Sequence, residues 1–388
     1  MLTLDGRLNE LRRSAAELAP ELRAQALALD ADPAQISHLL DLPAYDLLRK
    51  TLTPRHLRSG TPRSGLLDFD HSCLAVVVSL LELARGDAGL VLACPGPALA
   101  GMVIDQLADE AQQVRFYDAM ADGRTWSFFA MTEPAHGNDA TGMQTALVKD
   151  PNFGYRLNGV KRYIGNGARA RFGVVFARTG PGPLAIRAAL IELDNKGTTQ
   201  GTRGTGGFSA RPLDMVGLRG ARVAELVFDG LPVSEEALLG RHLSGSRRGI
   251  WGAMRTFNRM RSVVAALAVG TGLAIHELVV GERPAAPGAV EVAMRLESCR
   301  QLVYAAAATA DRDPDNAQAS SAAKMLAQSV AVRTSRWAAS ALGPAAALEY
   351  PLLEKWMRDV RAFEFMEGTT NIQRAHVARA YLRKDRER

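Results

Sequence analysis

In the stretch FEFMEGTTNIQR, residues 363 to 374, a carboxylate at Glu367 stands between an apolar run and a Gly-Thr-Thr sequence. Two uses of it are open. A carboxyl kept dry by apolar neighbours holds its proton more tightly and gains the basicity needed to deprotonate a weak acid. The same residue equally suits a turn, with Thr369 or Thr370 satisfying free amides at the start of a final helix. Other reactive residue types do not gather in the sequence. The seven histidines and three cysteines show no His-x-x-x-His or Cys-x-x-Cys spacing, so no metal site is expected. Cys73, Cys94 and Cys299 are widely separated in apolar surroundings, which reads as buried thiols in a reducing cytoplasm.

The elements that must position Glu367 are helical. After about residue 236, IWGAMRTFNRMRSVVAALAVGTGLAIHELVV, VEVAMRLESCRQLVYAAAATA, AQASSAAKMLAQSVAVRTSRWAASAL and NIQRAHVARAYL carry apolar residues at three-to-four spacing, as a helical bundle requires. Residues 1 to about 120 show the same period in LNELRRSAAELAPELRAQALAL, PAYDLLRKTL, CLAVVVSLLELARG and DEAQQVRFYDAMADG, with TPRHLRSGTPRSG as a loop. Between them lie short β-branched and aromatic runs: TWSFFAMTEP, FGVVFART, AALIEL and VAELVFDGLPV. YRLNGVKRYIGNG predicts a hairpin turning at Asn158-Gly159, and NKGTTQGTRGTGGF an exposed loop. The expected fold class is α+β, mainly α, with a helical domain over 1–124, a β-barrel over 125–235 and a helical bundle over 236–388.

Composition narrows the partners. With 388 residues, 47% hydrophobic and 23% charged, the chain holds enough apolar material for two or three domains. No apolar run approaches the roughly 18 residues of a membrane span, and the charged N-terminus indicates neither signal peptide nor anchor. The net charge of +6 is spread along the chain without a basic stripe interleaved with aromatics. Nucleic acid is therefore not expected, whereas anionic small molecules or an acidic partner protein fit.

Four motifs in one order resemble the acyl-CoA dehydrogenase family: MTEPAHGNDATGMQTA at 131–146, LNGVKRYIGNGARA at 157–170, VGLRGARVAELVFDGLPV at 216–233, and YPLLEKWMRDVRAFEFMEGTTNIQRAHVARAYL at 350–382. The resemblance implies an N-terminal helical domain, a middle β-barrel and a C-terminal four-helix bundle, with FAD between barrel and bundle in a homodimer or homotetramer. It implies a reaction in which a glutamate takes the α proton of an acyl thioester while the β hydride passes to flavin N5. Glu367 matches the base in the family's Glu-Gly-Thr motif. The alternative base position of some members falls on Met260, whose thioether cannot abstract a proton. The apolar run before Glu367 then becomes the wall that keeps the carboxyl dry. Arg261 matches an arginine kept near base and substrate. Phe129, Met131 and Thr132 fall to the isoalloxazine edge, Gly137 and Asn138 to the pyrophosphate, and Thr369 and Asn371 to further FAD contacts.

The departures are as specific as the matches. Tyr163 stands where the family usually has a tryptophan against the flavin, and Gly165 where a threonine hydroxyl usually reaches the ring. Asn371 replaces a more usual glutamine. The segment that reaches a neighbouring subunit's FAD is shortened to VGERPAAPGAVEV, keeping Arg283 without the usual Phe, and of a Gly-Gly-x-Gly turn only Gly343 remains. The adenine half of the cofactor is therefore expected to be held differently. The implied substrate is a small acyl thioester on coenzyme A or on an acyl carrier protein, with a specialised biosynthetic role favoured by the departures. The sequence does not name the electron acceptor; electron-transfer flavoprotein and oxygen are the two that the resemblance leaves open. Two alternatives stand beside this: a flavin-dependent oxidase or monooxygenase of the same fold, and a degenerate subunit that binds without turnover.

Overall fold

The structure, a computed structural model, describes residues 2–58, 72–193, 203–205 and 207–386. Five helices come first: α1 (Gly6–Ala31), α2 (Pro43–Leu52), α3 (Cys73–Ala93), α4 (Ala98–Leu107) and α5 (Glu110–Met120). Their starts follow the local chemistry. Asp5 accepts the Leu8 amide at 2.8 Å, Ser72 accepts that of Ala75 at 3.0 Å, and Asp109 and Gln112 form a reciprocal capping box on α5.

All described strands lie between Ser127 and Val233: β1 (Ser127–Ala130), β2 (Ala146–Asp150), β3 (Gly154–Ile164), β4 (Phe172–Arg178), β5 (Ile186–Glu192), β6 (Arg203–Thr205), β7 (Phe208–Pro212) and β8 (Ala224–Val233). They form one curled sheet in the order β1-β4-β2-β3-β8-β7-β6, with β5 antiparallel on β4. Six helices follow: α6 (Gly249–Glu282), α7 (Ala289–Arg312), α8 (Ala317–Leu342), α9 (Ala346–Glu349), α10 (Pro351–Ala362) and α11 (Thr370–Arg386).

Two sequence expectations fail in the sheet. Asn158-Gly159 is not a hairpin turn, because β3 runs straight through it and the ladder to β8 slips between Leu157 and Gly159. This is a β-bulge. Gly159 has φ +143, and a Cβ there would lie 2.6 Å from Thr145 Oγ1, so the glycine serves close strand approach. Asn158 Oδ1 meanwhile accepts the Gly230 amide at 2.8 Å. The chain reverses instead at Asp150–Gly154, where the Asp150 carboxylate accepts the amides of Asn152 and Phe153. Nor is NKGTTQGTRGTGGF all loop: residues 195–202 and 206 lie outside the described residues, but β6 pairs with β7. Much of TPRHLRSGTPRSG also lies outside them.

Two apolar clusters form the core. One fills the barrel with Phe128, Leu157, Val175, Ile191 and Phe228. The other joins α1–α5 to the later helices in a single packed mass. Its axis is α6, which packs against α3, α7 and α8. Residues Gly252–Glu282 of α6 are long and apolar enough to cross a membrane, contrary to the sequence reading, but 72% of the apolar window is buried inside the molecule. Core packing accounts for its hydropathy.

A charged knot ties this mass to the sheet. Asp87 breaks the helical path of α3 with an extended backbone, and Lys355 Nζ donates to Asp87 Oδ2 at 2.5 Å and to Asp359 Oδ2 at 2.6 Å. The Trp356 indole also donates to Asp87, and Asp359 Oδ1 accepts the Leu218 amide at 2.6 Å, just before β8. All three charges are buried. Lys355→Met should therefore cost about 3–5 kcal/mol, because two buried carboxylates lose the one cation that pairs with them among the described residues. Removing the exposed Arg124–Asp41 pair should leave the denaturant midpoint nearly unmoved. Equilibrium urea unfolding of both variants checks the contrast.

Candidate functional site

Between α10 and α11 the chain makes a tight turn on two consecutive left-handed residues, Glu367 (φ +54) and Gly368 (φ +92). A non-glycine residue rarely adopts this conformation, so the surroundings must impose it. Two buried side chains do. Lys324, on α8, donates from Nζ to Glu364 O at 2.9 Å and Gly368 O at 2.7 Å. Gln373, on α11, donates from Nε2 to Glu367 O and Gly368 O, each at 3.0 Å. Three backbone acceptors of the turn, on Glu364, Glu367 and Gly368, are thus met from neighbouring helices.

The Glu367 side chain is treated differently. Among the described residues no hydrogen bond or ion pair reaches its carboxyl. It is half-buried: protein atoms crowd it closely, and a strip of surface remains open. Burial pushes it up to about 7, against the opposing charges of Arg261 and Lys324. Arg261 is buried on α6, with Nη1 donating to Asn258 Oδ1 at 2.8 Å and Nε left without a partner. Burial lowers Arg261 to about 10 despite Glu367, and lowers Lys324 to about 8 despite Glu364 and Glu367. His376, beside Ser321 Oγ at 3.3 Å, is pushed down to about 4, by burial first and then by Arg261 and Arg379. Met260 is fully buried in the apolar core.

The expected threonine cap is corrected here. Glu364 caps α11 instead, accepting the Thr370 amide at 2.8 Å and the Thr370 hydroxyl at 2.5 Å. Thr369 turns to the barrel and shares a hydrogen bond with Asn138, 3.1 Å between Oγ1 and Nδ2. The apolar wall is also only partial: Phe363 is buried, but Phe365 is 73% exposed.

On the barrel side the loop after β1 is held by a second buried lysine. Lys161, on β3, donates to Met131 O at 2.9 Å and to Glu133 Oε1 at 3.0 Å. Glu133 also accepts the amides of Gln144 and Thr145. Burial works against the Glu133 charge, but these donors and Lys161 outweigh it and hold the carboxyl at about 2. Thr132 O accepts the Arg162 amide at 2.9 Å. Phe129 reaches across to the bundle, its ring 6.0 Å from that of Phe257 on α6 and 5.7 Å from Phe176 on β4.

Phe129, Met131, Thr132, Asn138 and Thr369 therefore gather where barrel meets bundle, with Glu367 two residues before Thr369. Tyr163, at the end of β3, is 58% exposed on a left-handed backbone (φ +62). Open space surrounds both Gly165 and Gly137, where an added Cβ would meet nothing within 4 Å. Asn371 is exposed at the start of α11. Arg283 and Gly343 do not join this group within one chain. Arg283 follows the far end of α6, about 30 Å from Arg261 at 1.5 Å per residue, and donates to Ala341 O at 2.6 Å, next to Gly343.

Sequence reasoning missed Lys324, Gln373, Lys161 and Glu133. Lys324 carried a signal, being a lone charge within SSAAKMLAQ, where an apolar helix has no other use for an ammonium. The raised Glu367 yields a stability prediction. Its folded pKa exceeds the unfolded value, so the native state binds the proton more tightly and loses stability as pH climbs from about 4.5 to about 7. Glu367→Gln should raise the thermal midpoint at pH 8 and leave it unchanged at pH 4, by calorimetry.

Comparison with known proteins places the chain in a family. The acyl-CoA dehydrogenase middle-domain family matches residues 128–231 and the C-terminal-domain family residues 288–382. An acyl-CoA dehydrogenase of Bacillus subtilis is 30% identical over 327 residues, spanning 80% of this chain and 82% of the relative. The short-chain-specific acyl-CoA dehydrogenase of Megasphaera elsdenii is 28% identical over 399 residues, 98% of this chain and 100% of that one. The solved butyryl-CoA dehydrogenase of Megasphaera elsdenii superposes with TM-score 0.81 at 27% identity, covering 98% of this chain and 100% of that chain. The chain belongs to the acyl-CoA dehydrogenase family, and so to the FAD-dependent oxidoreductases that act on a CH–CH bond.

Proposed function

We propose that the chain dehydrogenates a small acyl thioester, carried by coenzyme A or by the phosphopantetheine arm of a carrier protein, with Glu367 as the base that removes the α proton. The observation that carries this is the Glu367 carboxyl itself. It is desolvated, raised to about 7 and without a partner among the described residues, while the backbone oxygens of Glu364, Glu367 and Gly368 beside it are satisfied. A carboxyl serving structure would accept hydrogen bonds, as Glu364 and Glu133 do.

The residues where barrel meets bundle fit FAD. Tyr163 presents an aromatic face, the space beside Gly165 and Gly137 is open to a bulky group, and Asn138 and Thr369 offer polar atoms at the seam. When bound there, FAD supplies the hydride acceptor. The chain supplies the proton chemistry. Lys324 and Gln373 hold Glu367 in its left-handed turn, so the base needs no reorganisation. Arg261 offers positive charge and a buried, unpartnered Nε–H to the negative charge that builds on the thioester as the proton leaves. The two cations also keep Glu367 from rising further, so that a large fraction is ionised at neutral pH.

Purified protein mixed anaerobically with a short acyl thioester should lose its flavin absorbance at a rate that rises with pH through an apparent pKa near 7. Glu367→Gln should retain the flavin and abolish the bleaching; undiminished bleaching would rule Glu367 out as the base. Lys324→Met should keep flavin yet slow reduction by roughly tenfold to a hundredfold, the usual result of misplacing a base by a fraction of an ångström. Stopped-flow traces of the two variants separate loss of the base from loss of its support.

A further inference from the structure

A buried arginine is seldom left without a carboxylate at hydrogen-bond distance, yet among the described residues no ion pair reaches Arg261, which is buried. Its one hydrogen bond goes to a neutral group: Nη1 donates to Asn258 Oδ1 at 2.8 Å, one helical turn back on α6. Asn258 is buried as well and anchored by its other atom, because Nδ2 donates at 2.7 Å to Pro314 O in the turn between α7 and α8. A carbonyl can only accept, so Pro314 O fixes which end of the amide is which and turns Oδ1 to the guanidinium. A carboxylate at position 258 would set oxygen against oxygen there. The α7–α8 turn is itself fastened to α6 one turn earlier, where Arg255 meets Asp315 through bonds of 2.9 and 2.8 Å.

The charges around Arg261 come from three further elements. Glu367 stands on the turn between α10 and α11, Lys324 on α8 and His376 on α11. Glu364 acts on Lys324 and is engaged by the start of α11, while Arg379 acts on His376. His376 is neutral near pH 7, since burial, then Arg261 and Arg379, hold it at about 4. On the α7 side Asp315 is taken by Arg255, and Asp311 accepts the Cys73 and Leu74 amides. Among the described residues, Glu367 is therefore the acid that acts on Arg261.

We propose that Asn258 is a positioning residue for proton abstraction: it orients Arg261 through a neutral acceptor and so leaves the guanidinium charge to Glu367 and to the thioester. This rests on the dehydrogenase reading above and adds a residue to it. A carboxylate in the same place would pair with Arg261 through a charge-assisted bond and cancel much of the charge that Glu367 meets. The amide gives direction without neutralisation.

Two variants of the flavoprotein, Asn258→Asp and Asn258→Leu, separate charge from direction. The rate of flavin bleaching by a short acyl thioester should rise with pH through a midpoint near 7 in the wild type, and through one roughly a unit higher in Asn258→Asp, the usual effect of cancelling a nearby opposite charge. In Asn258→Leu the cation is kept but freed, so the midpoint should not rise while the plateau rate falls roughly tenfold to a hundredfold. A side chain that served folding alone would move neither midpoint. Calorimetry reads the same group without substrate. The gap in thermal midpoint between each protein and its Glu367→Gln counterpart should widen from about pH 4.5 and level off at the folded pKa of Glu367, near 7 in the wild type and roughly a unit higher with Asn258→Asp. Midpoints unmoved in Asn258→Asp, or a wild-type plateau in Asn258→Leu, would overturn the proposal; should Asn258→Asp not fold, the Asn258→Leu plateau decides alone. If no thioester bleaches the wild-type flavin, the dehydrogenase reading falls, and the calorimetric shift still decides whether Asn258 leaves the Arg261 charge to Glu367.

Discussion

An ammonium buried beneath a turn governs the reactive end of this molecule. Lys324 reaches from α8 to two carbonyls that bracket Glu367, and without those bonds a glutamate would have no reason to sit at φ +54. The strained conformation costs on the order of 1 kcal/mol, which two strong donors from Lys324 and two from Gln373 readily offset. The same ammonium acts through space. Burial alone would carry Glu367 further above its usual range; Lys324 and Arg261 limit the rise to about 7. One residue thus bears on both the backbone conformation of Glu367 and how tightly its carboxyl holds a proton.

The barrel repeats the device. Lys161 lies under the loop after β1 and joins a backbone carbonyl, Met131 O, to a carboxylate, Glu133, that in turn collects two amides. Each half of the site is therefore built over a buried lysine that shapes the backbone above it. At the site itself the two halves meet at the Phe129 and Phe257 rings and at the Asn138–Thr369 hydrogen bond, while elsewhere they are tied by the Asp359–Leu218 and Arg358–Val216 hydrogen bonds.

Much of this was legible in the sequence, and the reasons are physical. The helical period of Ala- and Leu-rich segments predicted α6, α7 and α8 nearly to the residue, because long amphipathic repeats override local chemistry. Glu367, Arg261, Asn138 and Thr369 were named through the family resemblance, each matching a family position. Lys324 and Lys161 could not be, since each acts on a carbonyl 30 to 44 positions away in sequence and nothing local marks the partner. The Asn158-Gly159 error has the opposite origin. That dipeptide does favour positive φ, and Gly159 adopts it, but the demand came from strand approach at Thr145 rather than from chain reversal. Likewise Thr370 does serve the start of α11, yet as a donor to Glu364 instead of as the acceptor that its position suggested.

Position along α6 is what the sequence states and the fold then makes rigid. The helix is buried against α3, α7 and α8, so it can neither bend nor slide without opening the core. Arg248 at one end, Phe257 to Arg261 in the first half and Arg283 at the other end are thereby held at fixed separations. Arg283 closes its end by donating to Ala341 O, and nearby the Trp337 indole donates to Pro287 O while stacking on His276. The far end is thus secured by donors from Arg283 and Trp337 to carbonyls, whereas at the start the Nε of Arg248 meets no partner among the described residues. With both ends held, Phe257 and Arg261 keep a fixed place along the rod, and the Phe129–Phe257 contact carries that placement to the barrel.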